Sequence, residues 1–187
     1  MSRLHRAGPV TWLLALLLMP TGAAAGEADA VRLIIMADDL GIAEAVNRAT
    51  FAAHRDGVVS TSNVIVPGPW FLQAVRLANE DPTLDLGVHL ALTSEWSELK
   101  WRPLTGGRSF CDPDGHFAPF VWPNPKLAPG RSLRELKVDL AEAEAELRAQ
   151  IDLAKRHLSR VSYLWPHMRS EERRVGKECR SRWSPYH

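Results

Sequence analysis

The sequence predicts an α/β fold on parallel strands, a (β/α) barrel-like arrangement of which about the N-terminal half is present. Three observations carry this. Short β-branched runs alternate with segments of helical period, the links between them are short, and polar residues gather where the apolar runs end. Strand–helix–strand alternation of this kind implies parallel pairing and right-handed crossovers.

The elements follow in order. Val31–Met36 is an apolar, β-rich run that ends in Ala37-Asp38-Asp39-Leu40-Gly41. A helix is expected from about Ala43 to His54, with Ala45, Val46, Ala49 and Ala53 on one side and Asp56-Gly57 as its stop. Val58–Val66 reads as the second strand, closed by Pro67-Gly68-Pro69. Trp70–Asn79 carries Phe71, Val75 and Ala78 at helical spacing, and Leu84–Thr93 is the third strand. Ser94–Arg131 is irregular, with Pro103, Pro113, Pro119, Pro123, Pro125 and Pro129. A loop of that length inside a compact domain is usually functional. Its Trp96, Trp101 and Trp122 suit either stacking against sugar rings or pinning the loop to the barrel wall. Ser132 with Glu135 predicts a capping box opening a long helix. Leu133, Leu136, Leu140, Ala143, Leu147, Ile151, Ala154 and Leu158 form its apolar stripe, and Glu142, Glu146, Arg148 and Asp152 its solvated face. Arg160–Trp165 is the fourth strand and leads into Pro166-His167-Met168.

Both ends fall outside this pattern. Arg3, His5 and Arg6 precede an almost wholly apolar Val10–Met19, and Ala23-Ala24-Ala25 offers small residues for cleavage. Residues 1–25 therefore read as a secretory signal, too short for a span that needs about 20 apolar residues, which leads to a periplasmic or secreted mature chain starting near Gly26. From Arg169 to His187 the text resembles translated sequencing adapter, so residues 26–168 are expected to be a partial domain and 169–187 a non-native tail. The whole chain has 187 residues, 23 Lys+Arg and 22 Asp+Glu. The tail holds six of those bases and three of the acids, so without it 17 basic residues face 19 acidic ones. That balance excludes a strongly basic nucleic-acid module, and two cysteines exclude a disulfide-built scaffold.

The strand ends carry the chemistry. Asp38 and Asp39 follow the first strand, His89 lies in the third, and His167 follows the fourth. In parallel α/β folds those ends share one face, where catalytic groups collect. One carboxylate and two imidazoles suit a divalent metal, and a second carboxylate can serve as general base. His54, at a helix C-terminus, reads as structural, and His116 as an exposed turn residue with substrate contact as the alternative. Thr61 and Ser62 fit either strand propensity or contact with substrate hydroxyls; Cys111 is assigned no chemistry.

A-D-D-L-G at Ala37, A-H-R-D-G-V-V-S-T-S-N at Ala53–Asn63, G-V-H-L-A-L-T at Gly87–Thr93 and W-P-H-M at Trp165 resemble, in this order, the YdjC-like carbohydrate deacetylases. The R-P-L and D-P-D-G-H-F pieces of the loop look like that family too. The resemblance implies a distorted (β/α) barrel that removes N-acetyl groups from chitooligosaccharide-like or lipid-linked glycans with one divalent metal, Mg2+ or Zn2+. It makes Asp38 the general base and Asp39, His89 and His167 the metal ligands. It also implies that family chains continue past Met168 with further strands and a later catalytic acid, so that this chain alone is not competent. Two other readings stand beside it: a different metallohydrolase such as a phosphoesterase, and a non-catalytic glycan-binding module using Trp96, Trp101 and Trp122. The oligomeric state is not legible in the sequence.

Overall fold

The computed structural model describes residues 33–126 and 128–169. The expected leader at 1–25 and the tail from residue 170 onward lie outside the described residues. Four strands, β1 (Met36–Leu40), β2 (Thr61–Val64), β3 (Asp85–Leu90) and β4 (Tyr163–Pro166), form one parallel sheet in the order β1-β2-β3-β4. Helix α1 (Glu44–Arg55) joins β1 to β2, and α2 (Phe71–Glu80) joins β2 to β3. The long loop and α3 (Leu140–His157) join β3 to β4. This is the expected α/β arrangement, strand after strand.

The strands differ from the apolar runs that announce them, because a ladder needs a partner as well as a propensity. Ile35 O accepts from Ser60 N and Thr61 N, so pairing with β2 starts only there and runs on through the acidic pair. Leu33 and Ile34 remain exposed. The amides of Val58 and Val59 bond the carbonyl of Ala53 at the end of α1, which delays β2 to Thr61. Gly41, at φ +98, turns the chain from β1 into α1, and a Cβ there would stand 2.8 Å from Ile65 O.

Val64, Leu86 and Val88 face the helices and pack with Phe51, Phe71, Ala74, Val75, Ala154 and Leu158 in one buried cluster. The opposite face is polar, with Thr61, Asn63, Asp85, His89 and Tyr163. Gly87 leaves room there: the ring of Tyr163, paired with it on β4, fills the space a side chain would take. Tyr163 OH donates to Ser62 O at 2.8 Å, and Thr61 Oγ1 lies 2.8 Å from the same phenol. Ser62 Oγ donates to Ala37 O. The hydroxyls of Thr61 and Ser62 are thus engaged within the sheet.

The long loop is not structureless. Trp101, Phe110 and Phe117 are buried against Ile42, Ile65 and Ala91, at the C-terminal ends of the strands. The rings of Phe110 and Phe117 stack at 5.7 Å. Trp101 is therefore a pinning residue by position, 2% exposed, whereas Trp96 and Trp122 are half-exposed.

The long helix departs from expectation in two ways. Only half of the capping box forms: Glu135 Oε2 accepts from Ser132 N at 3.1 Å and from its hydroxyl at 2.6 Å, while Glu135 N donates to the Ser132 carbonyl, closing a single turn. Asp139 N–H is taken by Ser109 Oγ, and the Asp139 carboxylate accepts from Ala141 N and Glu142 N, so α3 begins at Leu140. Leu140, expected in the apolar stripe, is 80% exposed, and Glu146, expected in solvent, is fully buried. The late start leaves Leu140 in the open first turn, and the buried face of α3 is Ala143, Glu146, Gln150 and Ala154.

Candidate metal centre

Strand β1 carries one extra residue against β2. Ala37 pairs with Ser62 and Leu40 with Val64, so Asp38 and Asp39 together oppose Asn63. Neighbouring strand residues normally point to opposite faces. Here the bulge, with Asp39 at φ +68, brings both carboxylates to the polar face. Asn63 Nδ2 donates to Asp38 Oδ1 at 2.6 Å, and Asp39 Oδ1 meets His89 Nε2 at 3.3 Å. The left-handed backbone at a non-glycine residue is strain of the kind that collects at functional sites.

His167 follows β4 in a short 3-10 turn, and its Nδ1 lies 3.4 Å from Asp39 Oδ1 and 3.2 Å from His89 Nε2. Asp39, His89 and His167 thus present three ligand atoms at the corners of a small triangle. On a flat sheet β1 and β4 would be about 14 Å apart, three strand spacings. Contact between Asp39 and His167 therefore requires a sheet curled toward its polar face, as in a barrel wall.

The hydrogen bonds around the triangle aim its lone pairs inward. His89 Nδ1 faces Trp165 O at 3.2 Å, which places a proton there and leaves Nε2 as the acceptor. His167 Nε2 faces Glu95 Oε2 at 2.9 Å, which leaves Nδ1 for the centre. Asp39 Oδ1 is buried with no hydrogen bond of its own. Ligand atoms 3.2–3.4 Å apart suit an ion with bonds of about 2.0–2.1 Å, whose tetrahedral edges span about 3.4 Å. Two imidazoles and one carboxylate, whose buried Oδ1 makes no hydrogen bond, fit a divalent cation.

Electrostatics say what holds the cluster without an ion. Burial alone would raise the Asp39 carboxyl, but the adjoining His167 and then His89 outweigh it and hold the group well below the usual carboxylate range. Burial alone would lower His167, yet Asp39 and Glu95 beside it push it up to about 9. A proton on His167 Nδ1 then stands where a cation would. Because His167 is raised from 6.5, its contribution to stability is complete below about pH 6.5 and lost as pH climbs through about 9. The depressed Asp39 contributes above its ordinary 3.8 and loses that contribution on acidification. Melting curves of metal-free protein should therefore show this cluster contributing most between about pH 4 and 6.5. Zinc must displace the proton, so its apparent affinity, followed by calorimetry, should rise with pH and level off above about 9.

Of the other residues singled out in the sequence, Trp101 stands beside the triangle, its ring 5.8 Å from that of His167. Trp96 follows Glu95 and is half-exposed, and Trp122 holds Arg134 over its ring at 4.6 Å. His116 is part of a turn whose Asp112 Oδ1 accepts its backbone N–H at 2.9 Å. His54 bonds Val59 O and Thr83 Oγ1, a structural role. Burial and then the Asp112 charge push the Cys111 thiol up to about 11, which leaves it protonated at neutral pH.

Glu95 and Asn63 were not anticipated. The signal for Glu95 is an acid just past the strand that carries His89; for Asn63 it is an amide opposite an acidic pair. Glu95→Ala should lower zinc affinity about 10- to 100-fold, read by competition with a chromophoric chelator, since a partner that orients a ligating imidazole is typically worth that much.

Comparison with known proteins follows the same residues. A carbohydrate deacetylase of Thermus thermophilus is 40% identical over 129 residues, covering 68% of this chain and 40% of that protein. One from Vibrio vulnificus is 39% identical over 90 residues, covering 48% and 33%. The chain thus spans two fifths or less of these relatives' length. A solved structure from Enterococcus faecalis V583, provisionally described as a cellobiose-phosphate cleavage protein, superposes with a TM-score of 0.57 at 32% identity, over 72% of this chain and 47% of that one. The sequence profile described as YdjC-like protein matches residues 32–173, from just before β1 to beyond the turn that holds His167, and by that match the chain belongs to the YdjC-like family.

Proposed function

We propose that this chain is the metal-binding part of a hydrolase that removes N-acetyl groups from amino sugars, in chitooligosaccharide-like or lipid-linked glycans. The observation that carries the reading is the convergence of Asp39, His89 and His167 beside a bulged Asp38, in a chain similar to carbohydrate deacetylases. A divalent ion, Zn2+ or Mg2+, held by those three residues supplies polarisation of the amide carbonyl and acidification of water. Asp38 is the general base. Asn63 holds its Oδ1, and Oδ2 takes the proton of the attacking water. Glu95 and the Trp165 carbonyl fix the two imidazoles, and the buried Trp101 keeps bulk water from His167. The exposed face of Trp96 supplies a platform for a sugar ring.

We read residues 1–25 as a cleaved leader and the mature protein as periplasmic or secreted; N-terminal sequencing should find Gly26 or a close neighbour. Both β1 and β4 are edge strands of the described sheet. With so small a share of its relatives' length, the 187-residue chain alone is expected to release no acetate. The test is acetate release from N-acetylated chitooligosaccharides, with and without chelator, by the longer gene product, of its relatives' length, that this proposal expects. Sugar binding that survives the chelator, with no acetate formed, would replace the hydrolase by a glycan-binding module. Phosphate release from sugar phosphates in its place would make it a phosphoesterase.

A further inference from the structure

Two polar side chains one turn apart on α3, Glu146 and Gln150, are fully buried. Gln150 Oε1 accepts from Ala91 N at 3.0 Å, and its Nε2 donates to Ala91 O at 2.8 Å, so the amide caps the end of β3 as a strand neighbour would. The second hydrogen of Nε2 goes to Glu146 Oε1 at 2.8 Å. Glu146 Oε2 in turn accepts from Thr105 N at 2.9 Å and from Thr105 Oγ1 at 2.8 Å. Ala91 and Thr105 are the two ends of one loop, and that loop carries Glu95 and Trp101 to His167.

We propose that Glu146 and Gln150 act together as a clamp that fixes both ends of the 92–104 loop and so sets the position of Glu95 and Trp101 at the metal centre. A carboxylate buried among neutral donors gives little stability that an apolar residue of the same shape would not. What it gives is direction. Every acceptor and donor of the Glu146–Gln150 pair named above is spent on a backbone or hydroxyl group at a loop end or on the other partner. The pair makes no contact with the ligands themselves; both are positioning residues, and the proposal rests on the metal-centre reading only for its effect on the ion.

The experiment measures amide exchange and zinc affinity in the longer gene product proposed above, in Glu146→Gln and Gln150→Leu variants. Glu146→Gln puts an amide where two acceptors are needed, and Gln150→Leu removes the bonds to Ala91. Exchange at Thr105 in the first variant and at Ala91 in the second should accelerate at least about tenfold, with β2 unchanged. The zinc Kd should rise about tenfold in both, the scale expected when a ligand's supporting partner is displaced. Unchanged exchange, or faster exchange with an unchanged Kd, overturns the clamp. A wild-type protein that binds no zinc refutes the metal centre instead, and exchange at Ala91 and Thr105 still decides whether the loop is pinned. Should a buried variant not fold, Thr105→Val, at an exposed residue, removes one bond. It should raise the Kd two- to threefold, and an unchanged value there overturns the proposal equally.

Discussion

His89→Ala, made in the longer gene product proposed above, is expected to weaken zinc binding about 10^3-fold and to abolish acetate release. The triangle offers three protein ligands, and losing one forfeits roughly 4 kcal/mol of a binding energy that is of order 10 kcal/mol or more for a structural zinc site. Each corner of the triangle contacts the other two, so removing His89 also takes a partner from Asp39 and from His167. Asp39→Ala and His167→Ala should behave alike, since each removes one corner. Isothermal titration with zinc and a parallel acetate assay read both effects. A His89→Ala protein with normal turnover would falsify the ligand assignment.

Asp38→Asn should separate binding from chemistry. Asparagine has the same shape, and its carbonyl oxygen can still accept from Asn63 Nδ2, so the bulge should persist. Its amide nitrogen cannot accept a proton. The zinc Kd is expected to stay within about threefold, while kcat falls about 10^2- to 10^4-fold, the usual worth of a general base. A fall in zinc affinity matching that of Asp39→Ala would instead make Asp38 a fourth ligand.

Residues whose role follows from local pattern were legible in the sequence. The helical periods around Phe51 and Phe71, the β-branched run before Asn63, and the acidic pair and histidines at strand ends all gave their places correctly to within a few positions. What pattern could not supply depends on a partner far along the chain. Strand β1 starts at Met36 because that is where β2 has an edge to offer. Capping logic found half a box at Ser132 but not the cap at Asp139, whose amide is claimed by Ser109 from the loop. Periodicity put Glu146 in water because a carboxylate reads as surface; its burial depends on Thr105 and Gln150 arriving with the right donors. Glu95 and Asn63 were overlooked for the same reason, as each acquires its role only from the residue it faces.

Each strand of the sheet lies beside the one made just before it, so pairing can proceed in the order of synthesis. The cluster of Asp39, His89 and His167 cannot, because it draws on the first strand and on the turn after the fourth. Its assembly needs all four strands in place, and it reports that the sheet has curled far enough for its outermost strands to meet. An ion that recognises only the finished cluster would favour that event by about 4 kcal/mol at a thousand times its Kd. The supply of divalent ion at the place where the newly made chain folds, and not only where it later works, would then govern the yield of mature protein.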